Sequence, residues 1–249
     1  MQNKFGFVLP FFNEEKRFDS EFIHSVLVLT DVDFIFVDDG STDKTYELLK
    51  SFTEKYSNLT VLRLQNNLGK AEAIRHGWLQ MMKASDYEYL GLMDSDGAIT
   101  ALDLIDIIGE LRPNGLTVDA IWKSRIAIAG RKGSRSIYRH YISRVIATFF
   151  GLVDRGLPYD TQCGLKLFRR TSVFIESVEC KFSTRWFIDL EMYVRLKRGL
   201  GKSLLIWEVP CFSWSEIGQS KISLRKSLNL MLEMVQVFLQ LFGSRKFVK

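Results

Sequence analysis

Several things are scarce or missing in this chain, and each absence excludes a class of protein. Nowhere in its 249 residues do about 18 apolar residues run together, so no stretch reads as a bilayer-spanning helix. The N-terminus enters the apolar run Phe5–Leu9 without the charged, apolar and small-residue succession of a secretory leader. Cys163, Cys180 and Cys211 are an odd number of cysteines without metal-ligand spacing, and read as reduced thiols of a cytosolic chain rather than as a disulfide framework or a catalytic thiol. His24, His76 and His140 show no ligand spacing either. No linker, low-complexity stretch or internal repeat is visible, so the chain reads as one fold with a functional insertion.

Acid is also missing, from one place only. Residues 1–119 carry 11 Lys and Arg against 20 Asp and Glu, a net of −9, whereas residues 120–249 carry 23 against 9, a net of +14, which makes up the overall +5. From Ala120 to Val153 there is no carboxylate, but there are seven Lys or Arg. An acidic front suits a cation, and a basic rear suits anions.

The most informative stretch present is Tyr89–Gly97, an apolar run of strand length that stops in Asp94-Ser95-Asp96-Gly97. Two like charges one residue apart raise each other's pKa unless a cation lies between them. Hard divalent cations take such oxygens and bridge to substrate phosphates. Asp94 and Asp96 therefore read as a metal clamp at the carboxyl end of a strand, where open α/β sheets keep their ligands.

The same layout recurs along the first half. Phe5–Leu9 reads as a strand stopped by Pro10, followed by Asn13 and Glu14, which can start a helix or bind a ligand. Phe34–Val37 runs into Asp38-Asp39-Gly40-Ser41-Thr42, and the next helix places Tyr46, Leu49, Phe52 and Tyr56 near one face. Thr60–Leu64 leads to Asn66–Lys70 and a helix with Ala71, Ile74, Trp78 and Met82. Thr100 caps a helix carrying Leu104, Ile108 and Leu111. Strands alternating with helices at this spacing predict a mainly parallel, doubly wound α/β sheet. Four clusters of polar residues at strand ends would then share one edge. Beyond Asp119 the expected elements are a strand Ala120–Trp122, a basic amphipathic segment 136–150, a strand Leu165–Phe168, a helix Trp186–Leu196 and a strand Leu204–Val209.

Pro10–Glu14, Val37–Thr42, Asn67–Lys70 and Asp94–Gly97 together resemble the family 2 glycosyltransferases of GT-A (Rossmann-like) fold. Lys123-Ser124-Arg125 looks like that family's Gly-Ser-Arg element with lysine for glycine. Arg139-His140-Tyr141, Ser143-Arg144, Asp160–Phe168, Arg185–Glu191, and Trp214 with Ser220-Lys221-Ile222 are similar to the dolichyl- and polyprenyl-phosphate hexosyltransferases, the glucosyl branch above all. The resemblance covers nearly the whole chain. It implies a GT-A domain over 1–222, with a nucleotide-sugar half 1–119 and a basic acceptor half 120–222, and then a C-terminal amphipathic helix and basic tail, 223–249.

The activity implied is inverting, metal-dependent transfer of a hexose, glucose from UDP-glucose by resemblance, to a polyprenyl or dolichyl phosphate. Pro10, Asn13, Glu14, Asp39, Gly40, Lys70, Asp94 and Ser95 are then donor-binding. Asp94 and Asp96 hold Mg2+ or Mn2+, with Asp96 and Asp189 as catalytic residues. A lipid phosphate is already an anion and needs positioning more than deprotonation, which suits the planar forks of arginines. Arg125, Arg139, Arg144, Gln162, Ser220 and Lys221 are the acceptor-side candidates. A saccharide acceptor, as in cell-surface polysaccharide assembly, would instead ask Asp189 or Glu191 for a general base. From another class, a non-catalytic nucleotide- or nucleic-acid-binding module would use the basic half, but the acidic strand ends argue against nucleic acid.

In the C-terminal segment, Leu224, Leu228, Met231, Leu232, Val235, Phe238, Leu239 and Phe242 form a broad apolar face. Asn229, Glu233, Gln236 and Gln240 interrupt any span, and basic residues sit at both ends. That is the distribution of an interfacial helix, expected to hold the protein at the inner, cytoplasmic face of a membrane. The same face also admits packing on the domain itself or on a second copy of the chain.

Overall fold

The computed structural model describes residues 4–29, 31–111, 117–126, the backbone of 132–134, residues 154–215 and, near the C-terminus, 232, 233, 235–237 and 239. The elements in order are β1 (Phe5–Phe11), α1 (Ser20–Leu27), β2 (Val32–Asp38), α2 (Thr45–Thr53), β3 (Leu59–Arg63), α3 (Lys70–Ala84), β4 (Tyr89–Met93), α4 (Ala101–Gly109), β5 (Ala120–Ser124), β6 (Lys132–Ser134), β7 (Leu165–Arg169), α5 (Ser172–Glu179), α6 (Ile188–Leu200), β8 (Ile206–Pro210) and β9 (Ser213–Ser215). Seven strands form one sheet in the order β3-β2-β1-β4-β7-β5-β8, and β6 pairs with β9 in a small second sheet.

The sheet is buried on both faces, which is why its strands read as near-continuous apolar runs. Alternation nevertheless sorts their side chains. Phe5, Phe7, Leu9 and Phe11 of β1 join a core with residues of α1, α2 and α4. Val8 turns the other way, to Ile74 and Trp78 of α3 and to residues of α5 and α6. Trp78 donates its indole N–H to the Gly91 carbonyl (2.9 Å), fixing α3 on β4.

One expectation is corrected. Pro10 does not stop β1: Leu9, Pro10 and Phe11 stay in register with Phe36, Val37 and Asp38 of β2. The pairing of β1 with β4 ends at Val8–Leu92, so Pro10 stands beyond the ladder on that side and its missing N–H breaks no pairing there. The sheet is mainly parallel, as expected, with one strand reversed. β7 runs antiparallel to both of its neighbours, β4 and β5, while β8 is parallel to β5. The reversal brings the loop before β7, residues 160–164, to the edge where the other strands end. The expected segment 136–150 lies outside the described residues. Of the expected C-terminal helix, residues 232, 233, 235–237 and 239 are helical.

Among the described residues, no helix is long and apolar enough to cross a membrane.

Candidate active site

The carboxyl ends of β1 and β2 are laced together. The Asn13 amide donates to Ser41 Oγ (2.9 Å), and Asn13 Oδ1 accepts from the Thr42 amide (2.9 Å). The Glu14 amide donates to Thr45 Oγ1 (2.8 Å). Asn13 adopts a left-handed φ of 52°, which asparagine tolerates better than most residues. Ser95 Oγ donates to the Pro10 carbonyl (2.7 Å), which joins the end of β4 to that of β1. Gly40 has a φ of +68°, and a Cβ there would lie 2.6 Å from the Asn66 carbonyl carbon, so the turn after β2 passes Asn66 only as glycine.

Asp39 is buried with its carboxylate already engaged. It accepts from Asn67 Nδ2 (2.9 Å), the Leu68 amide (2.8 Å) and the Gly69 amide (2.9 Å). Burial raises its pKa, although the two backbone N–H groups and Arg185 oppose the rise. Its first task here is to pin the turn 67–69 that launches α3.

Lys70, the first residue of α3, reaches the clamp itself: its Nζ lies 2.6 Å from Asp94 Oδ1. Burial would lower the pKa of Lys70, but Asp94 first, then Asp189 and Asp96, hold it above its ordinary value. Asp96 has a raised pKa, chiefly from burial and next from Asp94, and its Oδ1 accepts from the Ala98 amide (3.0 Å). Asp94, Asp96, Lys70 and Asp189 thus form one charged cluster at the sheet edge.

Asp189, in the first turn of α6, is buried and paired with Lys166 of β7 (Nζ–Oδ1 2.6 Å). Lys166 also donates to the Cys163 carbonyl and lies 4.8 Å from the centre of the Trp122 ring. Glu191, the other carboxylate of that helix start, is caged by the Ser183 and Thr184 amides, both of their hydroxyls and Arg195. It braces the loop before α6, and Asp189 is the one that faces the cluster.

The loop before β7 closes the other side. The Asp94 amide donates to the Gly164 carbonyl (2.7 Å), and a Cβ on Gly164 would stand 2.4 Å from Asp94 Oδ2. Asp160 takes Arg125 side-on, with Nε to Oδ2 at 2.8 Å and Nη2 to Oδ1 at 2.9 Å, and also accepts the Arg125 amide (2.9 Å). Burial would raise the Asp160 pKa, but Arg125 overrides it and keeps the carboxyl below its ordinary range. A guanidinium has five donors and Asp160 takes two, so the pair orients the fork. Gln162 donates its main-chain N–H to Asp160 Oδ1 (3.2 Å). Lys123 is fully buried between Asp103 (3.3 Å) and Asp106 (2.6 Å), so in place of glycine it acts as a staple between β5 and α4.

Arg139, Arg144, Ser220 and Lys221 lie outside the described residues. Two residues that sequence reasoning did not single out as site residues are Lys166 and Gly164. A lysine inside the apolar run Leu165–Phe168 was the available signal, because a charge in a buried strand requires a partner.

The donor set fits a divalent cation. Among the described residues no three His, Cys, Asp or Glu side chains converge into an all-protein cage. Two carboxylates completed by substrate phosphates and water are the usual arrangement for Mg2+ beside a nucleotide. Burial first and Asp94 second raise the Asp96 pKa, so the two carboxylates sense each other's charge.

The family model described as glycosyl transferase family 2 matches residues 7–174. A dolichyl-phosphate beta-glucosyltransferase of Trichomonas vaginalis is 28% identical over 254 residues, covering 93% of this chain and 69% of that protein. One from Dictyostelium discoideum is 31% identical over 225 residues, covering 86% and 62% respectively, and one from Homo sapiens is 29% identical over 263 residues, covering 88% and 74%. Among solved structures, glucosyl-3-phosphoglycerate synthase of Mycobacterium tuberculosis, in complex with Mn2+, UDP and glucosyl-3-phosphoglycerate, superposes with a TM-score of 0.68 at 17% identity, covering 98% of this chain and 81% of that one. A mannosyltransferase of Pyrobaculum calidifontis, in complex with GDP-mannose and Mn2+, gives 0.65 at 15% identity, covering 100% and 66%. At those identities the structures establish the GT-A fold. With the family model spanning three strand-end loops, the carboxylate pair and β7, the chain belongs to glycosyl transferase family 2.

Proposed function

We propose that this chain transfers a hexose, glucose from UDP-glucose, to a polyprenyl or dolichyl phosphate with inversion at the anomeric carbon. One observation carries the reading: Asp94, Asp96, Lys70, and Asp189 on Lys166 gather at one sheet edge, with Gly164 packed against Asp94. The names of the relatives, dolichyl-phosphate beta-glucosyltransferases, supply the donor sugar and the acceptor class.

Asp94 and Asp96 would hold Mg2+ or Mn2+, which supplies Lewis-acid neutralisation of the diphosphate when bound. Lys70 meets the same diphosphate as a point charge and keeps Asp94 aimed at it. The turn 67–69, pinned by Asp39, and the laced loops at Pro10–Glu14 and Gly40 shape the cradle for the nucleoside. An acceptor phosphate oxygen attacks the anomeric carbon, the bond from that carbon to the diphosphate breaks, and the nucleoside diphosphate leaves with the electron pair. No proton has to be removed from a phosphate that is already ionised. Asp189 suits this chemistry as an orienting carboxylate, since it enters the site engaged by Lys166. Arg125, oriented by Asp160, would receive the acceptor phosphate with Gln162, Arg139, Arg144, Ser220 and Lys221.

The C-terminal segment supports a peripheral position at the inner face of a membrane. Leu232, Val235 and Leu239, all expected on the apolar face, are 62%, 50% and 63% exposed, while Val237 is buried against Leu190 and Val194 of α6. The test of the function is a panel of labelled nucleotide sugars offered with short polyprenyl phosphates. Label entering the organic phase from UDP-glucose is expected. Label passing only to saccharide acceptors, or to none, contradicts the proposal.

A further inference from the structure

Among the described residues of the C-terminal segment, Glu233 reaches the donor site. Glu233 Oε2 accepts two consecutive main-chain N–H groups, Arg185 (3.1 Å) and Trp186 (3.2 Å). That turn is built into the start of α3. The Arg185 carbonyl accepts from the Ala71 amide (3.0 Å), and Arg185 Nη2 donates to the Asn67 carbonyl (3.2 Å). A side chain at Gly69, whose φ is +99°, would meet Arg185 Cβ at 2.9 Å. The Trp186 ring lies 5.7 Å from Lys70 Nζ, within cation–π range, and Lys70 grips Asp94.

The other side of the same helix faces away from the domain. Residues 233 and 237 stand one turn apart and face inward, whereas Leu232, Val235 and Leu239 share the opposite stripe. Residues 217–249 contain six Lys or Arg and one acid, and that acid is Glu233, turned to the protein. The charge of the segment therefore complements an anionic lipid surface, and its single carboxylate is spent on the turn at 185–186.

We propose that Glu233 is a positioning residue that couples the two faces: a lipid surface engaging the Leu232–Val235–Leu239 stripe fixes the Arg185–Trp186 turn, and with it Lys70, at the donor site. The proposal rests on the donor-site reading given above. Its test uses the full chain, vesicles of phosphatidylcholine with or without phosphatidylglycerol, and two readouts. The first needs no nucleotide: Trp186 emission, taken as the difference between the chain and Trp186→Phe. Anionic vesicles should shift it, and Glu233→Ala should bind the same vesicles without the shift. The second is affinity for UDP with Mn2+, which should tighten about fivefold on anionic vesicles, the lower end of usual coupling between sites. Glu233→Ala should lose that gain. Glu233→Gln, whose amide oxygen still accepts both N–H groups, should keep most of it. The proposal is overturned by an unchanged gain in Glu233→Ala, by vesicle binding that leaves Trp186 unmoved, or by self-association through the stripe in place of lipid binding. A chain that shows the Trp186 shift yet binds no nucleotide under any condition contradicts the donor-site reading alone.

Discussion

Lys166 carries a charge into a fully buried position of β7, and its partner Asp189 is almost as buried. Breaking such a pair leaves an uncompensated charge in a poor solvent for it, a loss of about 3–5 kcal/mol. Lys166→Met is therefore expected to lower both thermal stability and turnover. The double variant Lys166→Met, Asp189→Leu separates the two effects: its melting temperature should recover most of the loss while its transfer rate does not. Recovery of both together would mean that the pair is only a packing device. Gly164 gives a sharper probe, because a methyl group there enters the space of the Asp94 carboxylate. Gly164→Ala is expected to keep the fold by circular dichroism and to weaken Mn2+-dependent UDP binding at least tenfold, measured by titration. Asp94 and Asp96 were legible in the sequence because acid rarely ends an apolar strand without cause. The dependence of Lys166 on Asp189 was not, because residues 23 apart meet only once β7 and α6 are placed.

At the scale of elements, the strands were legible as apolar runs and their mainly parallel arrangement from the alternation with helices, but the reversal of one strand was not. Leu165–Phe168 reads as a strand from its apolar residues whichever way it runs. Alternating strands and helices suggest the parallel choice, whereas β7 is reversed between β4 and β5. The reversal explains why residues 160–164 serve the site from the front of a strand. Helix α1 starts at Ser20, later than the start that Asn13 and Glu14 offered, and Asp19 caps it, accepting from the Glu21 and Phe22 amides. The loop before β7 is anchored by Arg125, whose side chain is 25% exposed. Arg125→Ala should cost about 3 kcal/mol at neutral pH, the low end for a buried pair because of that exposure. The pH dependence has a definite sign. Arg125 holds the Asp160 pKa below 3.8, so the stability it contributes is fully present above that value and is lost as pH falls through the folded one. The gap between wild type and Arg125→Ala in urea unfolding should therefore be widest near neutrality and narrow below about pH 4. A gap that widens in acid contradicts the assignment.

The whole molecule divides its labours by charge. The half with a net of −9 supplies the carboxylate pair and the strand-end loops, and the half with a net of +14 supplies Arg125, Lys166 and the C-terminal stretch. That division was visible in composition alone. Invisible there was the interlocking by which Gly164 and Asp189 of the basic half complete the site around Asp94. The central claim is that this cluster moves glucose onto a lipid phosphate through a cation held by Asp94 and Asp96. The most direct test compares the chain with Asp94→Asn, which keeps the shape and removes the charge, for transfer of label from UDP-glucose to a short polyprenyl phosphate while Mn2+ is titrated. The expected result is transfer that rises with Mn2+, is abolished by EDTA, and falls about a hundredfold or more in Asp94→Asn at an unchanged melting temperature. Transfer that persists in EDTA, or at full rate in Asp94→Asn, contradicts it.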